Sequence, residues 1–114
     1  MARVGFGPGY SVLVSPLVEE LYRLVKQIPS GSCTSYGALG RALSQPVSGY
    51  LVGRWMSAAP LDVPWQRVVG RDGSCLTGKR DPALAVEQER LLREEGVPFT
   101  DDGRVEMASC YFEP

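Results

Sequence analysis

One stretch constrains this chain more than any other: Val63-Pro64-Trp65-Gln66-Arg67-Val68-Val69, where a large aromatic follows a proline and precedes two polar side chains and an apolar pair. Proline fixes its own φ and biases Val63 toward an extended conformation, so the indole of Trp65 leaves a stiff corner. Val68 and Val69 read as strand and anchor the exit in a core. A tryptophan so placed is either presented to a ligand or packed in the core with its N–H satisfied, and the stretch alone does not choose between the two.

Composition narrows the chemistry. With 114 residues, 44% of them hydrophobic, the chain has material for one core rather than two. No apolar run approaches the roughly 18 to 20 residues of a membrane span, and the N-terminus lacks a charged region followed by an apolar signal core. A soluble cytoplasmic protein without membrane association is expected. Cys33, Cys75 and Cys110 show no Cys-x-x-Cys spacing and read as reduced thiols rather than a disulfide framework or a zinc site. Histidine is absent, which excludes Ser-His-Asp, Cys-His and His-metal sites. Carboxylates are concentrated in the C-terminal third rather than facing one another across a motif, so the case for an enzyme is weak, and no metal or other cofactor is expected.

The net charge of −1 hides an asymmetry. Between residues 26 and 80, seven basic residues (Lys26, Arg41, Arg54, Arg67, Arg71, Lys79, Arg80) face only Asp62 and Asp72, a local excess of +5. A basic middle segment suits a polyanion, although an arginine-rich solvated surface would look the same until a docking element is found.

Residues 1–14 are Gly-rich and read as a lead-in, with one extended piece at Tyr10–Val14. Ser15-Pro16 is a helix start, Leu17, Leu21, Leu24, Val25 and Ile28 recur at helical spacing, and Pro29 ends the run. Thr34 or Ser35 caps a second helix with Leu39 and Leu43 inward. Ser48 caps a third, reaching about Ala58 before Pro60. Two short helices joined by a tight turn form a helix-turn-helix candidate. On the third helix Leu51, Val52, Trp55 and Met56 make one stripe, which leaves Tyr50, Arg54 and Ser57 on the opposite, exposed face. Asp72-Gly73 between Val68-Val69 and Ser74-Cys75-Leu76 signals a β-hairpin. Asp81-Pro82 opens a fourth helix closed by Gly96. Glu95 sits in its last turn, where a carboxylate is disfavoured, and is either solvated or held by a polar partner. Phe99–Phe112, with Asp102-Gly103 inside it, reads as a second hairpin or a wing.

The order of these elements resembles a known family. Ile28-Pro29-Ser30-Gly31, Thr34-Ser35-Tyr36-Gly37, Val52-Gly53, Pro64-Trp65-Gln66-Arg67-Val68-Val69 and Leu91-Leu92-Arg93-Glu94-Glu95-Gly96-Val97 strongly resemble the DNA-binding domain of the O6-alkylguanine-DNA alkyltransferases, over about residues 15 to 110. That family carries Pro-Cys-His-Arg-Val where this chain has Pro64 to Val68. Trp65 thus stands in place of the alkyl-accepting cysteine and Gln66 in place of the histidine that helps activate it. Pro-Trp-Gln-Arg is the hallmark of the alkyltransferase-like proteins. An indole nitrogen is neither as nucleophilic as a thiolate nor easily deprotonated, so alkyl transfer to Trp65 is excluded on chemical grounds.

The resemblance implies a small, mainly α, winged helix-turn-helix-like domain with short β-hairpins over residues 15–114. It implies that duplex DNA containing O6-alkylguanine is bound by nucleotide flipping, without removal of the alkyl group, as a flag for nucleotide excision repair proteins. A monomer, nucleoid-associated when bound to DNA, is expected. Trp65, Pro64, Tyr36, Met56 and Gln66 would form the lesion pocket. Tyr36, Ser35, Tyr50, Gly53, Arg54, Ser57 and Arg67 would meet DNA, although the planar fork of Arg67 suits carbonyl groups and a role in ordering the turn. Glu95 matches the family glutamate that completes the cysteine-histidine network, and here it lacks both partners. Tyr50 stands where the alkyltransferases place the arginine that enters the base stack, so that stacking by Tyr50 and charge from Arg54 could divide that task. Ala59 replaces an asparagine and Gly78 a tyrosine, which would leave the pocket roomier. The alternatives are a sequence-specific helix-turn-helix regulator and an alkyltransferase with a relocated thiol such as Cys75.

Overall fold

The computed structural model describes residues 15–114; the expected lead-in at 1–14 lies outside the described residues. The first helix, α1, spans Pro16–Lys26. Ser15 is in extended conformation and its Oγ accepts the Val18 N–H at 3.2 Å, while proline occupies the first turn, where its missing N–H costs nothing. Leu21 and Val25, one turn apart, are fully buried. Among the described residues no helix is long and apolar enough to cross a membrane.

A two-residue strand, β1 (Thr34–Ser35), runs directly into α2 (Tyr36–Ala42), and α3 follows at Gly49–Met56. Ser35 and Ser48 cap these helices by accepting the N–H groups of Ala38 and Leu51. The connection into α3 packs closely on α2 because Gly40 has no side chain: a Cβ there would lie 2.2 Å from the carbonyl oxygen of Val47, whose own N–H bonds to Gly40 O at 3.1 Å. Val52 and Met56 point into the core, whereas Tyr50, Arg54 and Ser57 are exposed, as the periodicity predicts. The Tyr22 hydroxyl ties α1 to this pair by donating to Trp55 O at 2.8 Å.

A 3-10 turn at Trp65–Arg67 leads into β2 (Val68–Val69), which pairs in parallel with β1, Thr34 opposite Val68 and Ser35 opposite Val69. The expected hairpin is therefore corrected. The Asp72-Gly73 turn exists, with Gly70 N–H bonded to Ser74 O, but Val68-Val69 finds its partner in β1, and Leu76–Lys79 forms a second 3-10 turn. Gly73 has φ +90° and its missing Cβ leaves room for the Val105 backbone, so this turn is committed to packing against the C-terminal segment. Helix α4 spans Pro82–Glu94, capped by Asp81 through the Ala83 N–H. The second expected hairpin shrinks to one antiparallel bridge between Phe99 and Val105; then comes a single helical turn, α5 (Met107–Cys110), and Tyr111 bridges to Cys33 beside β1.

Adjacent residues of β2 feed two different cores, as alternation along a strand requires. Val68 joins Leu21, Val25, Ile28, Leu39, Val52 and Met56; Val69 joins Cys33, Leu92, Val97, Val105 and Cys110. The architecture is mainly helical around this minimal sheet, in agreement with the fold class expected from the sequence.

Candidate nucleic-acid interface

The turn that bears Trp65 is fixed from both sides. Val63 is buried, its N–H closes a turn onto Pro60 O, and its carbonyl accepts the Trp65 N–H at 2.7 Å. Asp62, in the same turn, pairs with Lys26 of α1 at 2.8 Å, which leaves Leu61 standing fully exposed at the tip. On the exit side, Arg67 donates from Nε and Nη2 to the two oxygens of Glu95, each at 3.0 Å, and from Nη1 to Ile28 O at 2.8 Å. The Gln66 Nε2 group donates to Glu95 Oε2 at 2.8 Å. Both ends of the ion pair are largely covered, with side-chain exposures of 18% for Arg67 and 15% for Glu95. Burial by itself would raise the Glu95 carboxyl, but the bonds from Arg67 and Gln66 and the guanidinium charge outweigh it and hold the group below its ordinary value. Glu95 thus has polar partners after all: Gln66 keeps the connection expected to be lost, and a two-pronged Arg67 completes it.

A cavity of about 210 Å³ is lined by Trp65 together with Tyr36, Met56, Ala59, Pro60, Leu84, Thr77 and Arg80. Tyr36, Gly53, Ser57, Thr77 and Arg80 also line a groove of about 810 Å³ between the exposed face of α3 and the chain from Gly70 to Arg80. Arg54, Arg71, Lys79 and Arg80 line this groove, and no carboxylate is among its lining residues. Tyr50, 76% exposed, stands at its α3 side. Burial raises the Tyr36 phenol, although the nearby Arg80 charge opposes it, so the hydroxyl stays protonated at neutral pH. An apolar recess with an aromatic wall, continuous with a cationic groove, is suited to a planar ligand attached to an anionic chain.

Of the expected pocket residues, Trp65, Tyr36 and Met56 meet around the cavity, whereas Pro64 and Gln66 do not line it. Pro64 lies behind the indole in the chain, and Gln66 turns toward Glu95. Of the expected DNA-binding residues, Tyr36, Tyr50, Gly53, Arg54 and Ser57 line the groove. Ser35 is buried and its hydroxyl is the α2 cap, and Arg67 is turned inward, so neither belongs to the open face. Gly78 adds no room either: a Cβ there would point at the Ala85 Cβ, 2.9 Å away, on the α4 side. Thr77, Arg80 and Leu84 had no motif to announce them, and only the clustering of Arg71, Lys79 and Arg80 in the basic middle hinted at this wall.

One buried side chain ties the turn that bears Trp65 to Thr77 of the cavity lining. Gln88 of α4 donates from Nε2 to Gln66 O at 3.1 Å and Val68 O at 2.8 Å, and its Oε1 accepts the Thr77 hydroxyl at 2.8 Å. None of the three cysteines lines the cavity or groove. Burial and then the Glu89 carboxylate raise the Cys75 thiol, and burial above all pushes Cys33 up to about 12, so neither carries appreciable thiolate at neutral pH.

The family described as 6-O-methylguanine DNA methyltransferase, DNA binding domain, matches residues 16–97. A bifunctional methyltransferase/endonuclease of Thermoplasma volcanium is 37% identical over 87 residues, 75% of this chain but 27% of its own length. A DNA base-flipping protein of Escherichia coli is 32% identical over 92 residues, covering 78% of this chain and 68% of the relative. Alkyltransferase-like protein 1 of Schizosaccharomyces pombe is 32% identical over 81 residues, 68% of this chain and 73% of that protein. A crystal structure of S. pombe Atl1, in complex with damaged DNA containing O6-carboxymethylguanine, superposes with a TM-score of 0.71 at 28% identity over 86% of this chain and 95% of that one.

Proposed function

The chain belongs to the family of the 6-O-methylguanine DNA methyltransferase DNA-binding domain, on its alkyltransferase-like side, and from that premise we propose that it senses O6-alkylguanine in duplex DNA without repairing it. In this reading the damaged nucleotide turns out of the helix, its base enters the cavity against Trp65, and its phosphates lie along the cationic groove. The observation that carries the proposal is Trp65 in the lining of the cavity; in this reading it stands where the resemblance puts the acceptor thiol of the alkyltransferases. A flipped purine there meets an aromatic face able to stack and an apolar rim of Met56, Pro60, Leu61 and Leu84. None of the three cysteines is among the residues it meets. Relatives named for base flipping and for complexes with damaged DNA support the ligand class.

Transfer to a relocated thiol is disfavoured, since Cys75 lies outside the cavity lining and its thiol is raised rather than activated. Sequence-specific regulation is disfavoured because the helix face of Tyr50, Arg54 and Ser57 opens onto a groove that leads into a cavity, which reading of base edges in a groove does not need. A monomer that marks the lesion for nucleotide excision repair proteins, in the cytoplasm or on the nucleoid, completes the proposal. The test is binding to matched duplexes with and without one O6-methylguanine, followed by intact mass of the protein. Selective binding with both molecules unchanged is expected; a protein heavier by one methyl group overturns the proposal.

A further inference from the structure

Gln88 is fully buried, and its side-chain hydrogen bonds run to the backbone of Gln66 and Val68, in and just after the Trp65 turn, and to Thr77 of the cavity lining. Both acceptors near its nitrogen are carbonyl oxygens, which fixes the amide orientation: the NH2 faces Gln66 O and Val68 O, and the amide oxygen faces Thr77. Thr77 must then be the donor in that bond, so any further bond its hydroxyl makes to a ligand is as an acceptor.

The two turns need such a hold. Trp65–Arg67 and Leu76–Lys79 are 3-10 turns of three and four residues, short pieces with poor hydrogen-bond geometry of their own. Gln88 stands one helical turn before the buried Leu92 on the inner stripe of α4, where a leucine would fill the space without the cost of burying an amide. We propose that Gln88 is a positioning residue that holds the Trp65 turn and the Leu76–Lys79 turn at a fixed separation, and so sets the width of the cavity that receives the alkylated base. The inference rests on the flipped-base reading given above.

Gln88→Met keeps length and removes the bonds. Thr77→Val cuts the same link from the other end, and Thr77→Ser keeps it. Affinities are measured for matched duplexes with and without O6-methylguanine. In the DNA-free protein, the 19F signal of 5-fluorotryptophan at position 65 is followed in a Trp55→Phe background. A wall displaced by a fraction of an ångström should cost Gln88→Met about tenfold in preference for the alkylated duplex, with unmodified duplex changed less than about twofold. Thr77→Val should lose as much, Thr77→Ser should keep the preference, and the double variant Gln88→Met/Thr77→Val should be no worse than either single one. The 19F signal should broaden or split in Gln88→Met. A Gln88→Met protein that melts earlier but keeps its preference overturns the inference, as do additive losses in the double variant. If Gln88→Met does not fold, Thr77→Val against Thr77→Ser decides it. A wild-type protein without lesion preference defeats the flipped-base reading instead, and the 19F comparison then still decides whether Gln88 holds Trp65 in place.

Discussion

At the scale of single residues, Trp65 and Glu95 determine what the site can and cannot do. Trp65→Ala removes one stacking surface, and by the scale for base–aromatic stacking the alkylated duplex should lose about 1 to 3 kcal/mol of affinity. Fluorescence anisotropy with paired duplexes checks this; equal weakening of unmodified DNA would show that Trp65 serves the fold instead. Rebuilding the reactive pair as Trp65→Cys with Gln66→His should not give efficient alkyl transfer. Both oxygens of Glu95 are already held by Arg67, and an activated thiolate needs its supporting groups placed within about half an ångström. Single-turnover assay on a methylated oligonucleotide measures the outcome, and rates like those of a true alkyltransferase would refute it. Trp65, Tyr36 and Met56 were legible in the sequence because motif and helical spacing are local. Thr77, Arg80 and Leu84 were not, because they reach the cavity only when the chain after Gly73 folds back across it.

At the scale of elements, the caps were legible for the same reason: Ser15, Ser35, Ser48 and Asp81 each bond to an N–H two or three residues away. The hairpin at Asp72-Gly73 was misread because strand pairing is settled by distant partners, and β1 offered Val68-Val69 a parallel ladder. Glu95, at the end of α4, shows how an element end is held in place by another part of the chain. A carboxylate at a helix C-terminus is unfavourable alone, yet this one is bonded by two side chains of the Trp65 turn. Its folded-state pKa is lowered, so its contribution to stability is present above the unfolded value of about 4.3 and is lost as pH falls through the folded one. Urea unfolding should therefore show Glu95→Gln less stable by about 1 to 3 kcal/mol at neutral pH, with a gap that closes in acid. A gap independent of pH would mean that the carboxylate charge is not what is held.

At the scale of the whole molecule, charge is sorted by surface. On α4, Arg90 pairs with Glu87 and Glu94, and Arg93 with Glu89. Among the described residues, Arg54, Arg71, Lys79 and Arg80 of the groove make no ion pair, so their charges are not neutralised within the protein. Arg54→Ala should flatten the dependence of log K on log salt by about 0.9 if it neutralises one phosphate. Tyr50→Ala should instead cost about 1 to 3 kcal/mol with the slope unchanged, if the exposed ring fills the gap left by the flipped base. The fluorescence of 2-aminopurine beside the lesion reports that gap, and a Tyr50→Ala protein that alters neither signal nor affinity would remove the wedge role. The basic middle of the chain was legible, but its convergence on one groove required the fold. Val68 and Val69 have a further effect: neighbouring side chains on one short strand enter separate cores, so neither core can melt while the other keeps its half of that strand in place. Two pairs of native reporters lie on opposite sides of this strand, the indoles of Trp55 and Trp65 against the first core and the thiols of Cys33 and Cys110 within the second. In rising denaturant, indole emission and thiol labelling should trace one coincident transition, with the molecule unfolding all or none.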